Sequence, residues 1–184
     1  MNPPSPLRPR LRALRRAISA GEQQRHAERV ARLVGAQRPF LRARRIAAYW
    51  PCDGELDPSP LQQRARALNK RVLLPVLRPH PGKKLWFVHY RAGEPLQDNA
   101  FGIPEPRLRN RRIHLPWELD LLLVPLVGFD ARCNRLGMGG GFYDRTLAYL
   151  GHRRYWRRPR LIGLAHECQR LDRLESNPWD VPLD

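Results

Sequence analysis

The most restrictive feature of this sequence is an apolar run, Leu121 to Val127, that leads through a glycine-rich turn towards a helix. The run has the length of a buried strand, and residues 142–150 have the pattern of a helix. Four glycines precede that helix, at positions 137, 139, 140 and 141. A buried strand joined to a helix by a turn indicates an α/β architecture.

Two further helices are predicted at the N-terminus. The first has an apolar stripe at helical spacing, formed by Leu7, Leu11, Leu14 and Ile18. We expect the arginines between these positions, at 8, 10, 12, 15 and 16, to face solvent. Ser19 to Glu22 has the pattern of a capping box that opens the second helix, which ends at Gly35. The predicted buried stripe of this helix is Ala27, Val30, Ala31 and Val34.

The centre of the chain predicts a βαβ unit. Apolar runs over 46–50 and 72–77 are typical of strands, and Leu61, Ala65 and Leu68 form a helical stripe between them. Strands joined in this way should be parallel, with a right-handed crossover. We expect further strands over 85–90, with the alternation of a sheet edge, and over 161–165. Residues 91–117 are expected to form a loop, and residues 1–184 a single domain.

The net charge of +17 does not by itself identify a partner. Residues 1–45 hold twelve arginines and two acids, and five more arginines lie between Arg153 and Arg160. Nucleic acid is one partner for such a surface. Small polyanions, such as nucleotides or polyglutamylated cofactors, are a second interpretation, and solvated arginines with no functional role are a third.

The cysteines and the N-terminus indicate the compartment. Cys52, Cys133 and Cys168 are widely spaced and odd in number, which argues against a disulfide framework and for a reducing environment. The N-terminus lacks the apolar core of a secretory signal, and no segment reaches the roughly 18 to 20 apolar residues that cross a bilayer. The histidines show no metal-binding spacing. We therefore expect a cytoplasmic protein without a membrane partner.

The glycine turn has the composition of an anion-binding loop. Glycine has no Cβ, so consecutive N–H groups can converge on a phosphate beside a helix N-terminus. Arg135 adds positive charge, and Asp144 can either complement the helix dipole or help to hold a magnesium ion. The spacing matches neither a P-loop nor a dinucleotide fingerprint. From glycine content alone, phosphate binding and a merely flexible turn both stay open.

The residues Asn134-Arg-Leu-Gly-Met-Gly-Gly-Gly-Phe-Tyr-Asp-Arg145 resemble the ATP-binding signature of the 5-formyltetrahydrofolate cyclo-ligase family, also called 5,10-methenyltetrahydrofolate synthetases. That signature runs Arg-Leu-Gly, any residue, Gly-x-Gly, two aromatic residues and Asp. Its length and unusual spacing make it specific. The resemblance extends over nearly the whole chain, with further matching segments at 46–57, 70–75, 122–130, 162–166 and 179–183.

The resemblance implies a fold and a reaction. The fold is a three-layer α/β arrangement with a mostly parallel sheet flanked by helices, like that of ribose-phosphate isomerase and CoA-transferase relatives. The reaction is the ATP- and Mg²⁺-dependent cyclisation of 5-formyltetrahydrofolate to 5,10-methenyltetrahydrofolate. ATP phosphorylates the formyl oxygen, a folate nitrogen closes the ring, and ADP and phosphate are released. The implied partners are a folate substrate and ATP, without nucleic acid, and we expect a monomer.

The resemblance also implies the site residues. ATP would be bound by Arg8 and by the run Arg135, Leu136, Gly137, Met138, Gly139, Gly140, Gly141, Phe142 and Tyr143. Arg135 and Asp144 would act on the transferring phosphoryl group, and Asp144 and Asp180 would hold Mg²⁺. Glu55 would accept hydrogen bonds from the N–H groups of the pterin, and Trp50 would pack against the folate.

Three positions depart from the family pattern. Pro4 stands where the family usually has a lysine or arginine, so one phosphate contact is missing or comes from Arg10 or Arg12. Gly140 replaces a lysine found in some members, and Phe142 replaces a tyrosine. Two other functions stay open: a nucleic-acid-binding module built on the arginine-rich surface, and an inactive relative that retains ATP binding.

Overall fold

A computed structural model describes residues 7–79, 82–152, 158–175 and 177–184. The α-helices of these ranges are α1 (Leu7–Arg16), α2 (Ala20–Gly35), α3 (Arg38–Arg42), α4 (Ser59–Ala67) and α5 (Phe142–Leu147). The strands are β1 (Arg45–Ala47), β2 (Arg71–Leu77), β3 (Leu85–His89), β4 (Leu96–Asp98), β5 (Pro104–Pro106), β6 (Ile113–His114), β7 (Leu121–Pro125), β8 (Gly128–Phe129), β9 (Arg135–Leu136) and β10 (Arg160–Leu164). Short 3-10 helices span Pro116–Glu118, Ala148–His152 and Glu167–Gln169. Our interpretations of Pro4, Arg153, Arg154 and Arg157 lie outside the described residues.

The central sheet is mostly parallel, as the sequence predicts. Among the described residues its strand order is β10-β7-β1-β2-β3-β6. Strands β10, β7, β1 and β2 run parallel, whereas β3 and β6 are antiparallel to their neighbours. The carboxyl ends of the parallel strands therefore lie along one edge of the sheet. Strand β3 is not the edge strand that its alternation predicts, because β6 pairs with its outer side.

Strand β7 shows why helices cover both faces of the sheet. Leu121 and Leu123 join a buried cluster that includes residues of α2, α3 and α4. Leu122 and Val124 join a second cluster, which includes Leu147 of α5. Successive residues of a strand point to opposite faces, so a strand that is apolar throughout must be covered on both. The result is the three-layer α/β arrangement that the resemblance implies.

Helix α2 forms as its sequence predicts. Ser19 Oγ accepts from Glu22 N at 3.3 Å, while Glu22 Oε2 accepts from Ser19 N at 3.2 Å. These reciprocal bonds are a capping box, and they satisfy backbone donors that would otherwise be unpaired at the helix start. The predicted apolar stripe is buried, with Val30 partly so. Helix α2 therefore covers one face of the sheet.

Helix α1 departs from its predicted stripe at two positions. Leu14 is 43% exposed, whereas the side chain of Arg15 has no exposed surface. The buried line runs from Leu11 to Arg15, four residues later, so Arg15 occupies a core position of the helix. The prediction that Arg15 faces solvent is wrong because the carboxylates of Asp53 and Glu55 lie opposite this position and favour a cation there.

Two other segments differ from the prediction in extent. Residues 91–117 contain strands β4, β5 and β6 as well as loop. Glu105 fixes the β4–β5 pair to the central sheet, because this buried side chain accepts from Leu77 N at 3.0 Å. A single buried glutamate in a proline-rich segment creates no periodic pattern, so the sequence does not reveal this pair. The helix predicted over 142–150 ends at Leu147 and continues as a 3-10 helix to His152.

Asp130 holds the loop between β8 and β9. This side chain is buried, and it accepts from the backbone N–H groups of Arg132, Asn134 and Leu174 and from Asn134 Nδ2, at 2.9 to 3.0 Å. Burial alone would raise the pKa of Asp130, but the hydrogen bonds favour the ionised form and lower this pKa to about 2. One charged group therefore orders the loop that leads into Arg135.

Asp130→Asn should destabilise the protein. An amide turns an N–H group towards backbone donors, so the free energy of unfolding in urea should fall by about 1 to 3 kcal/mol at pH 7. Because the pKa of Asp130 is lowered in the folded state, its charge stabilises the fold above about pH 4. That contribution is lost as the pH falls through about 2. The difference between wild type and variant should therefore shrink across this window.

Asp172→Asn is the matched control, because Asp172 is exposed and lies close to Leu174 in the chain. Its free energy of unfolding should stay within about 0.5 kcal/mol of the wild type. A difference between wild type and Asp130→Asn that does not change with pH would contradict the role assigned to the charge of Asp130.

Candidate active site

Three segments meet at the carboxyl edge of the sheet: helix α1, the loop that follows β1, and the glycine turn. Arg15 of α1 connects them. Its Nε donates to Asp53 O at 2.8 Å, its Nη2 donates to Asp53 Oδ2 at 2.9 Å, and its Nη1 donates to Leu126 O at 3.2 Å. Met138 Sδ of the glycine turn lies 3.9 Å from the same Nη2. Helix α1 thus fastens the loop after β1 to the end of β7 and to the turn.

The glycine turn has a backbone conformation that few other residues allow. Gly139 and Gly141 have φ angles of +98° and +66°, in the left-handed region that other L-residues rarely adopt. A Cβ at Gly141 would also lie 2.4 Å from Arg145 Nη1. Helix α5, which begins directly after Gly141, is only six residues long. Its dipole is therefore weaker than the longer predicted helix would supply, and a bound phosphate would depend more on nearby arginines.

Two arginines contact the turn. Arg8 Nε donates to Gly137 O, and Arg145 Nη2 donates to Gly140 O, each at 2.9 Å. Both contacts bring a guanidinium group close to any anion held by the turn. The structure thus places Arg8 at the turn to which the resemblance assigns it, and its contact with a phosphate stays a prediction.

Arg135 and Asp144 form an ion pair beside the turn. Arg135 Nη2 lies 2.5 Å from Asp144 Oδ1, and Arg135 Nη1 donates to Val181 O. Val181 N donates to the same Asp144 oxygen at 3.5 Å. These contacts hold the C-terminal segment against the turn. Asp180, which precedes Val181, is thereby carried to the same region as Asp144.

The donor chemistry of Asp144 and Asp180 fits magnesium. Mg²⁺ is commonly held by one or two protein carboxylates together with phosphate oxygens and water, so three protein ligands are not required. In the part of the chain that the structure describes, no group of three or more His, Cys, Asp or Glu side chains is arranged to hold a metal. One Asp144 oxygen is engaged by Arg135, and one Asp180 oxygen accepts from Asn177 N at 2.8 Å. The residue types fit the ion, and its binding by Asp144 and Asp180 stays a prediction.

Glu55 is a buried carboxylate in the loop after β1. It is 7% exposed, Cys52 N donates to its Oε2 at 3.2 Å, and Arg15 Nη2 lies 3.7 Å from its Oε1. Burial raises the pKa of Glu55, and the charge of Arg15 opposes that shift. Burial and then the charge of Glu55 raise the pKa of the Tyr143 phenol. Tyr143, in the first turn of α5, therefore shares one electrostatic environment with Glu55.

Two aromatic pairs include residues of the loop after β1 and of helix α5. The half-buried Trp50 meets Tyr90 edge to face, with ring centroids 6.1 Å apart. Phe142 meets Phe101 in the same way at 5.5 Å. Phe101 is 62% exposed and lies between β4 and β5, so this pair of strands reaches the helix that follows the glycine turn. Contact of Trp50 with folate stays a prediction.

Sequence reasoning missed three residues of this region: Arg15, Asp53 and Phe101. Arg15 is one of five arginines in α1, and only its spacing of four from the buried Leu11 distinguishes it. Asp53 lies close to two other acids, Glu55 and Asp57, and its left-handed φ of 52° is signalled only by the glycine that follows. Phe101 lies in a segment predicted as loop. An aromatic residue next to a glycine is the sequence signal that could have identified it.

Within the described ranges, no helix combines the length and apolarity needed to cross a membrane. The fold and the site define an α/β domain with a candidate ligand site at the carboxyl edge of its sheet, where a glycine turn lies close to a buried carboxylate. The chain matches the 5-formyltetrahydrofolate cyclo-ligase family over residues 2–184, and it belongs to that family. It is therefore an enzyme of the cyclo-ligase type.

Relatives and solved structures agree with this assignment. The 5-formyltetrahydrofolate cyclo-ligase of Escherichia coli (strain K12) is 40% identical over 173 residues, which cover 94% of this chain and 93% of the relative. The cyclo-ligase of Haemophilus influenzae is 39% identical over 179 residues, which cover 96% and 92%. The structure of Aquifex aeolicus 5,10-methenyltetrahydrofolate synthetase gives a TM-score of 0.79 at 30% identity, over 98% of this chain and 86% of that one.

Cys52 should be a slowly reacting thiol. Burial, together with the nearby charge of Glu55, raises the pKa of Cys52 to about 11. At pH 8 only about one molecule in a thousand then carries the reactive thiolate. Brief treatment with iodoacetamide and peptide mass spectrometry should find Cys133, which is exposed, alkylated well before Cys52. Equal rates at the two positions would contradict this electrostatic environment.

Proposed function

We propose that this protein closes 5-formyltetrahydrofolate to 5,10-methenyltetrahydrofolate, using Mg-ATP and releasing ADP and phosphate. The observation that carries the proposal is the connection between buried Glu55 and the glycine turn through Arg15, in a chain of the cyclo-ligase family. A phosphoryl group can pass between two ligands only if their sites adjoin. The arrangement at the carboxyl edge of the sheet supports that requirement.

The reaction must convert a poor leaving group into a good one. The formyl oxygen attacks the γ-phosphorus of ATP, the bond to the β-phosphate oxygen breaks, and ADP departs. The second folate nitrogen then attacks the formyl carbon and loses its proton, while phosphate leaves with the former formyl oxygen. Ring closure is intramolecular, so the protein mainly orients the folate and neutralises phosphoryl charge.

Glu55 is the residue we assign to the pterin. An ionised carboxylate can accept hydrogen bonds from two adjacent N–H groups at once. Glu55 is held by Cys52 N at 3.2 Å and lies near the guanidinium of Arg15, so its orientation is fixed before the folate arrives. Because burial raises its pKa, acidification should weaken folate binding by protonating one of the acceptors. Trp50 is assigned to packing against the folate.

The ion pair between Arg135 and Asp144 is the centre that we assign to phosphoryl transfer. The two charges neutralise each other across 2.5 Å. A bound triphosphate would compete for Arg135, and Asp144 and Asp180 would then hold Mg²⁺. When bound, the ion withdraws charge from the transferring group. Arg8, at Gly137, supplies a further positive charge.

We further propose a cytoplasmic monomer that acts on small molecules. All three cysteines are free thiols, which suits a reducing compartment. Part of the arginine-rich N-terminus is paired with an acid of the protein itself rather than left free for nucleic acid. Arg12, Arg15 and Arg16 all pair with Asp53, at 2.6, 2.9 and 3.0 Å.

The direct test mixes the purified protein with 5-formyltetrahydrofolate, Mg²⁺ and ATP. The methenyl product has a conjugated chromophore that the substrate lacks, so its absorbance reports turnover. A rise that requires all three components is the expected result. No rise with ATP still bound would contradict the activity and identify an inactive relative. No rise and no ATP binding would contradict the phosphate site as well.

Glu55→Gln should raise KM for the folate by about tenfold or more, because the amide replaces one acceptor oxygen with an N–H donor group. KM for ATP should change little, since Glu55 is assigned to the pterin alone. Steady-state kinetics with each substrate varied in turn checks both values. Glu175→Gln, at an exposed position, is the matched control. An equal rise in both KM values would contradict the assignment of Glu55.

Asp144→Asn should lower kcat and increase the Mg²⁺ concentration needed for half-maximal rate. The amide is a weaker ligand than a carboxylate for a hard cation. A magnesium titration at saturating folate and ATP measures the shift. An unchanged magnesium requirement would show that Asp144 serves only its pair with Arg135.

A further inference from the structure

Arg15 is a charged side chain in the interior that contacts neither substrate in the proposed chemistry. It has no exposed surface, and its guanidinium contacts the loop after β1, the end of β7 and the glycine turn. A buried guanidinium is stable only where anions and carbonyl oxygens compensate the loss of water. The partners of Arg15 therefore reveal what it holds in place.

The first partner, Asp53, is shared. Asp53 Oδ2 contacts Arg12 at 2.6 Å and Arg15 at 2.9 Å, and Asp53 Oδ1 contacts Arg16 at 3.0 Å. One carboxylate thus faces three guanidinium groups and cannot neutralise them all. Arg12 and Arg16 are 36% and 53% exposed, so water also screens their charges. Arg15 has no such screening and therefore needs a second anion.

That second anion is Glu55, whose Oε1 lies 3.7 Å from Arg15 Nη2. The distance is that of an ion pair rather than a direct hydrogen bond. Both side chains are buried, so their interaction is screened far less than a surface pair. Meanwhile Arg15 Nε and Nη1 donate to Asp53 O and Leu126 O, which fixes the backbone beside Glu55 to the end of β7.

We propose that Arg15 is a positioning residue, which fixes the Glu55 carboxylate for the folate by ion pairing and by anchoring the loop that carries it. This inference rests on the proposed function. It assigns Arg15 no contact with either substrate. It also explains why α1 places an arginine, rather than a leucine, four residues after Leu11.

The inference predicts a change in pH dependence. Burial raises the pKa of Glu55, and the charge of Arg15 is the largest effect that lowers it. Removing Arg15 should therefore raise the pKa of Glu55. The titratable and charged groups that act on Glu55 or respond to its charge are Arg12, Arg15, Cys52, Asp53, Tyr49 and Tyr143. Of the two cations, Arg15 is the one that forms an ion pair with Glu55, so its removal makes ionised Glu55 less favourable. The acidic limb of activity should therefore move to higher pH.

The experiment compares Arg15→Met, Arg15→Lys and the control Arg16→Met, each first checked for a cooperative thermal unfolding transition. Arg15→Met should lower kcat/KM for the folate by about tenfold at neutral pH, with a smaller loss in kcat at saturating folate. Its acidic limb should shift upwards. Arg15→Lys should recover part of both changes because it keeps the charge. Arg16→Met should behave as the wild type, since Arg16 reaches Asp53 but makes no ion pair with Glu55 among the described contacts.

A double-mutant cycle separates positioning from mere structural support. In a Glu55→Gln background the carboxylate is already absent, so adding Arg15→Met should lower kcat/KM by less than about threefold. This double variant removes both buried charges. If Arg15→Met alone does not fold, the double variant and Arg15→Lys still test the inference. A tenfold loss in both backgrounds, or a loss that is uniform with pH, would overturn the inference. An inactive wild type would instead overturn the proposed function.

Discussion

The ion cluster formed by Asp53, Arg15 and Glu55 fixes the relation between the first helix and the sheet. A guanidinium without exposed surface must satisfy its donors internally, and Arg15 does so with groups from the loop after β1 and the end of β7. Helix α1 is thereby fastened at the carboxyl edge, where Arg8 also reaches Gly137 O. The glycine turn and the loop of Glu55 depend on this one helix for their mutual position. The site therefore forms from segments that are distant in the chain, and not from the glycine signature alone.

The same cluster changes the meaning of the net charge of +17. Composition suggests an arginine-rich surface, yet Arg15 and Arg135 are almost completely buried and paired with acids. Guanidinium groups suit such positions because they keep their charge and offer several donors in a fixed geometry. Arg15 and Arg135 thus have a local purpose, because they stabilise carboxylates of the protein. Positive charge near a phosphate site does not by itself indicate nucleic acid.

Local signals explain which parts of the fold the sequence predicts. The apolar run Leu121 to Val127 predicts a strand, and Ser19 to Glu22 predicts a capping box. Both predictions depend only on residues that are close in the chain, and the structure confirms both. Arg15 could not be predicted in this way, because its burial depends on Asp53, 38 residues away. The β4–β5 pair likewise depends on a contact between Glu105 and Leu77, 28 residues apart. Within the site, the role expected of Asp180 came from the family resemblance alone, because no local pattern predicts that the C-terminal segment lies against the turn, where Val181 N meets Asp144.

The central claim is that the two ligands adjoin closely enough for the formyl oxygen to receive a phosphoryl group. Turnover of 5-formyltetrahydrofolate labelled with oxygen-18 in the formyl group tests this most directly, with mass spectrometry of the released phosphate. The account predicts that each phosphate carries one labelled oxygen, because the formyl oxygen leaves with it. Unlabelled phosphate, with the label recovered in water, would show that ATP is hydrolysed separately from ring closure and would contradict the account.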